Sequence, residues 1–125
     1  MTITTVYSPK GGSGTTTIAA AIAVLLSRNA QAVIVDAAEQ DDMPAALGLG
    51  AQVGPGFMEW AKDGASDLGS FGVAVTLDLA LIPHGTGTLD RRDAVTTGHI
   101  GDRLRASAGD LHIVVDCGSN TDLAA

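Results

Sequence analysis

Four runs of β-branched and aliphatic residues recur along the chain and predict the strands of a buried sheet. They are Ile3 to Tyr7, Ala32 to Val35, Leu77 to Ile82 and Leu111 to Val115. Runs that are apolar at successive positions are typical of parallel strands covered on both faces. The second and fourth runs lead directly into Asp36 and Asp116, so the sequence predicts carboxylates at two strand ends.

Segments with helical spacing of apolar residues separate these runs. Apolar residues from Ile18 to Leu26 recur at this spacing and predict a helix over Thr15 to Arg28. Further helices are predicted from Pro44 towards Gly48, over Phe57 to Lys62 and over Arg92 to Ser107, and a brief strand over Val73 to Val75. Because the order strand, helix, strand requires a crossover, the sequence predicts an α/β fold, a three-layer parallel sheet with flanking helices.

A glycine-rich loop joins the first predicted strand to the first predicted helix. It reads Ser8-Pro9-Lys10-Gly11-Gly12-Ser13-Gly14 and leads into Thr15-Thr16-Thr17. A strand, a tight glycine turn and a helix together present backbone N–H groups to a phosphate. The general phosphate-loop pattern G-x-x-x-x-G-K-[ST] fits poorly, but the pattern K-G-G-x-G-K-[ST]-T fails only at Thr15. A purely structural turn is the alternative, although it does not need three glycines.

Composition restricts the possible function classes. The 125 residues suffice for one domain, and the net charge of −7 argues against non-specific nucleic-acid binding, which requires clustered Lys and Arg. The N-terminus has no signal-peptide pattern, and the longest apolar run, Ile18 to Leu26, is too short to span a bilayer. The single cysteine, Cys117, excludes an internal disulfide and suits a reducing compartment. We therefore expect a cytoplasmic protein with a single domain over residues 1–125.

Histidine and cysteine are not expected to form a site. His84, His99 and His112 have no metal-ligand spacing with one another or with Cys117. No basic neighbour in the sequence would lower the pKa of Cys117, so we expect a small, buried and unreactive side chain.

The loop and the strand ends together resemble the deviant-Walker P-loop ATPases of the MinD/ParA superfamily. In that superfamily an additional lysine lies just before the paired glycines, as Lys10 does here. The likeness covers the whole chain, through the strand that ends on Asp36, the strand Leu79 to Pro83 and the Walker B strand Ile113 to Asp116. Among the branches, the altered loop is most similar to the CpaE/TadZ group of pilus-localisation proteins.

The resemblance implies ATP or ADP with Mg²⁺ as the ligand, and a homodimer or a protein partner. The Thr16 hydroxyl would ligate Mg²⁺, Asp116 would hold the metal through water, and Asp36 would lie near the same site. Lys10 would reach across a dimer to the partner's nucleotide, and Lys10 and Asp36 are the candidate catalytic residues. The expected nucleotide-binding residues are Lys10, Gly11, Gly12, Ser13, Gly14, Thr15, Thr16 and Thr17, and the expected metal residues are Thr16, Asp36 and Asp116.

Two departures from the superfamily pattern weaken the expected activity. Thr15 replaces a lysine, which removes a charge-assisted contact of about 1.5–3 kcal/mol, or about one to two decades of affinity. Ala38 replaces the second acid of a D-x-D pair that begins at Asp36, and that acid is implicated in positioning the attacking water. The resemblance therefore implies weak nucleotide binding and little or no hydrolysis.

Two alternatives for the function remain open at the level of sequence. The chain could be a pseudo-ATPase that keeps the fold for docking and binds no nucleotide. It could also be a Rossmann domain, since Gly12 to Thr17 approximates G-x-G-x-x-G and Asp36 stands where a ribose-binding acid belongs, although Thr17 replaces the third glycine. Members of the MinD/ParA superfamily continue beyond the position of Ala125 with further strands. We therefore expect that the chain is either the N-terminal part of a longer domain or a domain in which pairing covers the exposed edge of the first strand.

Overall fold

The computed structural model describes residues 2–7, 14–38, 42–52, 54–63, 67–86 and 94–118. Within these ranges the strands are β1 Thr2–Tyr7, β2 Ala32–Asp36, β3 Val73–Ala74, β4 Leu79–Ile82 and β5 His112–Gly118. The helices are α1 Gly14–Leu26, α2 Met43–Ala46, α3 Phe57–Asp63 and α4 Ala94–Ala108, with a 3₁₀ helix at Leu68–Phe71.

The strands form one sheet in the order β1-β5-β2-β4-β3. All neighbouring strands run parallel except β3, which pairs antiparallel with β4. The predicted α/β fold with a parallel sheet is therefore confirmed, and the sheet is mixed only at the β3 edge. A tight bend through residues 75–78 joins β3 to β4. Leu77 lies in this bend, so β4 begins at Leu79 and is shorter than the strand predicted over Leu77 to Ile82.

β5, the last described strand in the sequence, lies between β1 and β2. In register, Asp116 pairs with Val6 on β1 and with Asp36 on β2. The crossover predicted between the first two strands is present, but β1 and β2 are not neighbours because β5 separates them. The two strand-terminal aspartates consequently lie side by side at the carboxyl edge of the sheet.

Alternation along the strands assigns side chains to two separate cores. On β5, Ile113, Val115 and Cys117 pack into the core beside α3 and α4, while Val114 packs into the core beneath α1. Successive residues of a strand point to opposite faces, so Asp116 shares the face of Val114 and is directed towards α1.

The turn before α3 packs closely against the end of β4. The Phe57 N–H donates to the Pro83 carbonyl at 2.7 Å, and the Glu59 carboxylate accepts from the N–H groups of Gly56 at 2.8 Å and Thr86 at 3.0 Å. A Cβ added at Gly56 would meet the Pro83 oxygen at 2.1 Å, so only glycine fits there. These contacts fix the segment that follows β4 on the same edge of the sheet as the aspartates.

β1 is an edge strand within the described sheet. Its sequence, TITTVY, contains neither a charged residue nor proline, the usual protections of a free edge. Among the helices that the structure describes, none has the length and apolar character needed to span a bilayer.

Candidate functional site

The centre of the candidate site is a buried hydrogen bond between α1 and β5. The Thr16 hydroxyl, in the first turn of α1, donates to Asp116 Oδ2 at 2.9 Å. Both side chains are buried, and 100 residues of sequence separate them. The bond forms because β5 lies beneath the start of α1 and presents Asp116 on the face that α1 covers.

The second oxygen of the Asp116 carboxylate is also held. The Gly118 N–H donates to Asp116 Oδ1 at 3.0 Å. At the backbone, the Ala37 N–H donates to the Asp116 carbonyl at 2.9 Å, continuing the ladder between β2 and β5. The carboxylate is therefore fixed by a hydroxyl on one side and a peptide N–H on the other.

Asp36 stands next to Asp116 in register and is likewise fully buried. Its Oδ1 accepts a hydrogen bond from the Ala38 N–H at 3.3 Å. Two carboxylates and a hydroxyl at one edge of the sheet offer only oxygen atoms, the donor type that Mg²⁺ prefers. The described residues contain no cluster of three or more His, Cys, Asp or Glu side chains that could hold a metal. The donor set thus fits Mg²⁺ in a site completed by phosphate and water, and does not form a closed protein cage.

The predicted phosphate-binding residues are described only in part. Lys10, Gly11, Gly12 and Ser13 lie outside the described residues. Gly14 begins α1, and Thr15 and Thr16 are buried in its first turn, whereas Thr17 is exposed on its outer side. The N-terminus of α1 therefore lies beside Asp116, and its N–H groups form the end of a helix that favours anions.

Cys117 points away from the site, into the core beside α3 and α4. Burial and, to a smaller extent, the charge of Asp116 raise the pKa of its thiol from 9.0 to about 12. The prediction that Cys117 is a small buried residue without an activated thiol is confirmed.

Gly118 is a site residue that the sequence analysis did not identify. It has a φ of +55°, a conformation that favours glycine, and it donates to Asp116 Oδ1. A Cβ added to it would lie 2.9 Å from the Ala38 Cβ. The available signal was a glycine two residues after a strand-terminal aspartate, a spacing compatible with a turn that returns an N–H to the carboxylate.

A protein-family model matches most of the chain. The family model described as "Cellulose biosynthesis protein BcsQ" matches residues 1–109 of the 125-residue chain. The chain belongs to the BcsQ family. No curated protein sequence matches the chain. The predicted placement nearest the CpaE/TadZ group stays a prediction.

Solved structures share the fold of this BcsQ-family chain. Apo McdA from Cyanothece has a TM-score of 0.76 and 22% identity over 99% of this chain and 53% of that one. An aspartate-to-alanine variant of Cyanothece McdA in complex with ATP has a TM-score of 0.75 and 24% identity over 93% of this chain and 47% of that one. A putative plasmid partition protein from Borrelia burgdorferi B31 bound to AMPPNP has a TM-score of 0.66 and 25% identity over 98% of this chain and 54% of that one. A chain of the MinC:MinD cell division protein complex from Aquifex aeolicus has a TM-score of 0.68 and 21% identity over 99% of this chain and 52% of that one.

These similarities confirm the resemblance to MinD/ParA-type P-loop ATPases at the level of fold. The BcsQ-family chain spans about half the length of the solved structures it matches. The shared half includes the strands that end on Asp36 and Asp116 and the helix that begins with Gly14.

The raised pKa of Cys117 predicts an alkaline loss of stability. An unfolded thiol releases its proton near pH 9, whereas the folded thiol keeps it until about pH 12, so rising pH favours the unfolded chain across this window. Relative to Cys117→Ala, the wild-type free energy of unfolding should fall by up to about 1.4 kcal/mol per pH unit above pH 9. Urea unfolding of both chains at pH 8, 9 and 10 measures this difference. Parallel pH profiles would contradict the prediction.

Proposed function

We propose that this chain is an atypical MinD/ParA-like protein that binds ATP or ADP with Mg²⁺ weakly and hydrolyses ATP slowly or not at all. It acts in positioning or partitioning, through a homodimer or a protein partner. The observation that carries the proposal is the buried bond between Thr16 and Asp116, beside Asp36 and the start of α1. An ordinary strand-to-helix turn has no need to bury two carboxylates there, because buried charges are unfavourable without partners.

Nucleotide binding would use two features of this edge of the sheet. The N–H groups at the start of α1 and the preceding loop would face the phosphates, where the helix dipole favours negative charge. Thr16 and Asp116 would hold Mg²⁺, with Asp36 oriented towards the same position. The metal, when bound, would supply the positive charge that neutralises the phosphate oxygens. Because position 15 is a threonine and not a lysine, the metal would carry a larger share of this neutralisation.

Weak hydrolysis follows from the side chains that face this site. Thr15 carries no charge, and Ala38 is a buried methyl group where the superfamily resemblance implies a carboxylate. The McdA structure with ATP was obtained with an aspartate-to-alanine variant, so loss of one carboxylate is compatible with nucleotide binding in that protein. By analogy, we propose that this chain keeps the ability to bind and loses the ability to activate water efficiently.

Titration calorimetry with ATP and ADP, each with and without Mg²⁺, tests the binding proposal. We expect binding that strengthens with Mg²⁺ and has a weak affinity, since the lysine contact is missing. Absence of heat and of a thermal shift at millimolar nucleotide would contradict nucleotide binding and leave the pseudo-ATPase. A response to NAD without one to ATP would instead support a Rossmann-type site.

Thr15→Lys should raise the affinity for ATP about tenfold or more, because the side chain restores a charge-assisted contact to the phosphates. Side chains of a helix tilt towards its N-terminus, so a lysine at this position extends towards the proposed phosphate site. Ala21→Lys is the matched control, since it adds the same charge at an exposed position further along α1, outside the expected nucleotide-binding residues. Equal affinities in Thr15→Lys and the wild type would mean that the loop is not shaped around a phosphate.

The partner part of the proposal is supported by the surface. On α1, Ile18 and Leu25 are 54% and 56% exposed and lie seven positions apart, on one side of the helix. Tyr7, at the end of the uncharged edge strand β1, is 52% exposed. Within the described sheet this strand edge carries no charge, which favours pairing with another strand, and a second copy of this chain offers the same edge.

Sedimentation of the wild type at increasing concentration should therefore detect a dimer, and Thr5→Lys should shift it to the monomer. Thr5 is exposed on β1, and a lysine there opposes pairing of strand edges. Ser70→Lys, which adds the same charge on the exposed 3₁₀ helix away from β1, should leave the dimer intact. A wild type that remains monomeric, with and without ATP and Mg²⁺, would contradict the homodimer and leave a different protein as the partner.

A further inference from the structure

β2 and β5 each end in a turn of the same kind. At the end of β2 the Ala38 N–H donates to Asp36 Oδ1, and at the end of β5 the Gly118 N–H donates to Asp116 Oδ1. In each turn the donor lies two residues after the aspartate whose oxygen it holds. The two turns are also adjacent, because Asp36 and Asp116 are paired in register.

The donors of these two turns pack directly against each other. A Cβ built on Gly118 would lie 2.9 Å from the Ala38 Cβ, closer than a Cβ approaches another atom in folded proteins, and 3.5 Å from the Ala38 Cα. Ala38 is itself buried. Residue 118 therefore cannot gain a Cβ without displacing Ala38.

We propose that Gly118, through its contact with Ala38, is a positioning residue that orients the Asp116 carboxylate for Mg²⁺. This inference rests on the proposed function. The Gly118 N–H fixes one carboxylate oxygen, so the other oxygen is directed at the Thr16 hydroxyl. Displacing residue 118 moves the donor, turns the carboxylate, and separates Asp116 from Thr16.

The backbone of Asp116 is held independently of Gly118. The Asp116 carbonyl accepts from the Ala37 N–H at 2.9 Å, and Asp116 pairs in register with both neighbouring strands. A shift at residue 118 therefore acts first on the Asp116 side chain and not on the position of β5. This separation makes the role of Gly118 distinguishable from a general role in stability.

Gly118 also reaches the other side of the candidate site. In the ladder between β1 and β5 it pairs with Tyr7, the last described residue before the predicted phosphate loop, and the register shifts just before this pair. The same glycine thus contacts the end of β2 and pairs with the end of β1. A change at Gly118 consequently affects the carboxylate together with the point from which the loop departs.

The experiment measures how much Mg²⁺ strengthens ATP binding, as the ratio of the dissociation constants in EDTA and in Mg²⁺. Gly118→Ala should lower this ratio about tenfold, the effect typical of losing a group that orients a metal ligand. Ala38→Gly alone should leave the ratio close to that of the wild type. The double variant should recover most of the ratio, because removing the Ala38 methyl group makes room for the new one.

Stability provides the readout that separates positioning from folding. Alanine at a φ of +55° is strained in both the single and the double variant, so both should lose thermal stability while only the single variant loses the Mg²⁺ effect. Gly109→Ala is the matched control: Gly109 has a φ of +52° and no atom within 4 Å of an added Cβ. It should lower stability and leave the ratio unchanged.

The possible outcomes distinguish this inference from the proposed function. A Gly118→Ala chain with the wild-type ratio overturns the inference, and so does a loss that Ala38→Gly does not restore. A wild type whose ATP binding does not respond to Mg²⁺ overturns both proposals. If Gly118→Ala does not fold, Ala38→Val adds bulk to the same contact from the β2 side with the glycine retained. Its expected result is the same loss, and an unchanged ratio there overturns the inference.

Discussion

The hydrogen bond between Thr16 and Asp116 is the constraint on which the site depends. It connects the first turn of α1 to the end of β5 in a place that excludes water. A buried carboxylate without partners is strongly unfavourable, so this bond and the Gly118 N–H are what permit Asp116 to be buried at the carboxyl edge of the sheet. The same arrangement places the N-terminus of α1 beside Asp116 at the carboxyl edge of the sheet.

Most of the fold could be predicted from local patterns. The apolar runs before Asp36 and Asp116 identified buried parallel strands, because strands covered on both faces leave a continuous apolar trace. The spacing of Ile18 and Leu25 identified α1, although both side chains are exposed and the buried face of the helix consists of Thr15, Thr16 and three alanines. The position of β5 between β1 and β2 left no such trace in the residue pattern. Strand order depends on which apolar faces pack together across long distances in sequence. The antiparallel β3 is too short for alternation to reveal its direction.

The candidate site was predictable where chemistry is visible in side chains, and not where it depends on backbone. Asp36 and Asp116 were identified as carboxylates at the ends of apolar runs, and the resemblance to MinD/ParA-type ATPases added Thr16. The structure joins Thr16 to Asp116 and pairs Asp116 with Asp36. Gly118 was missed because its contribution is an N–H and the absence of a Cβ. Its importance follows from the nearness of Ala38, which lies in the bend after β2, 80 positions earlier in the sequence. Only the paired strands reveal that contact.

The position of β5 between β1 and β2 has a consequence for how this chain folds as it is synthesised. Because β5 pairs with both β1 and β2, these two strands are joined in one sheet only once residues 112–118 are available. A chain that has emerged only as far as α4 can pair β2, β3 and β4, but it leaves β1 without a neighbour among the described strands. Such late, long-range pairing is slow and exposes apolar strands in the interval. Incorporation of β1 into the sheet and creation of the site are therefore expected to be a single late event.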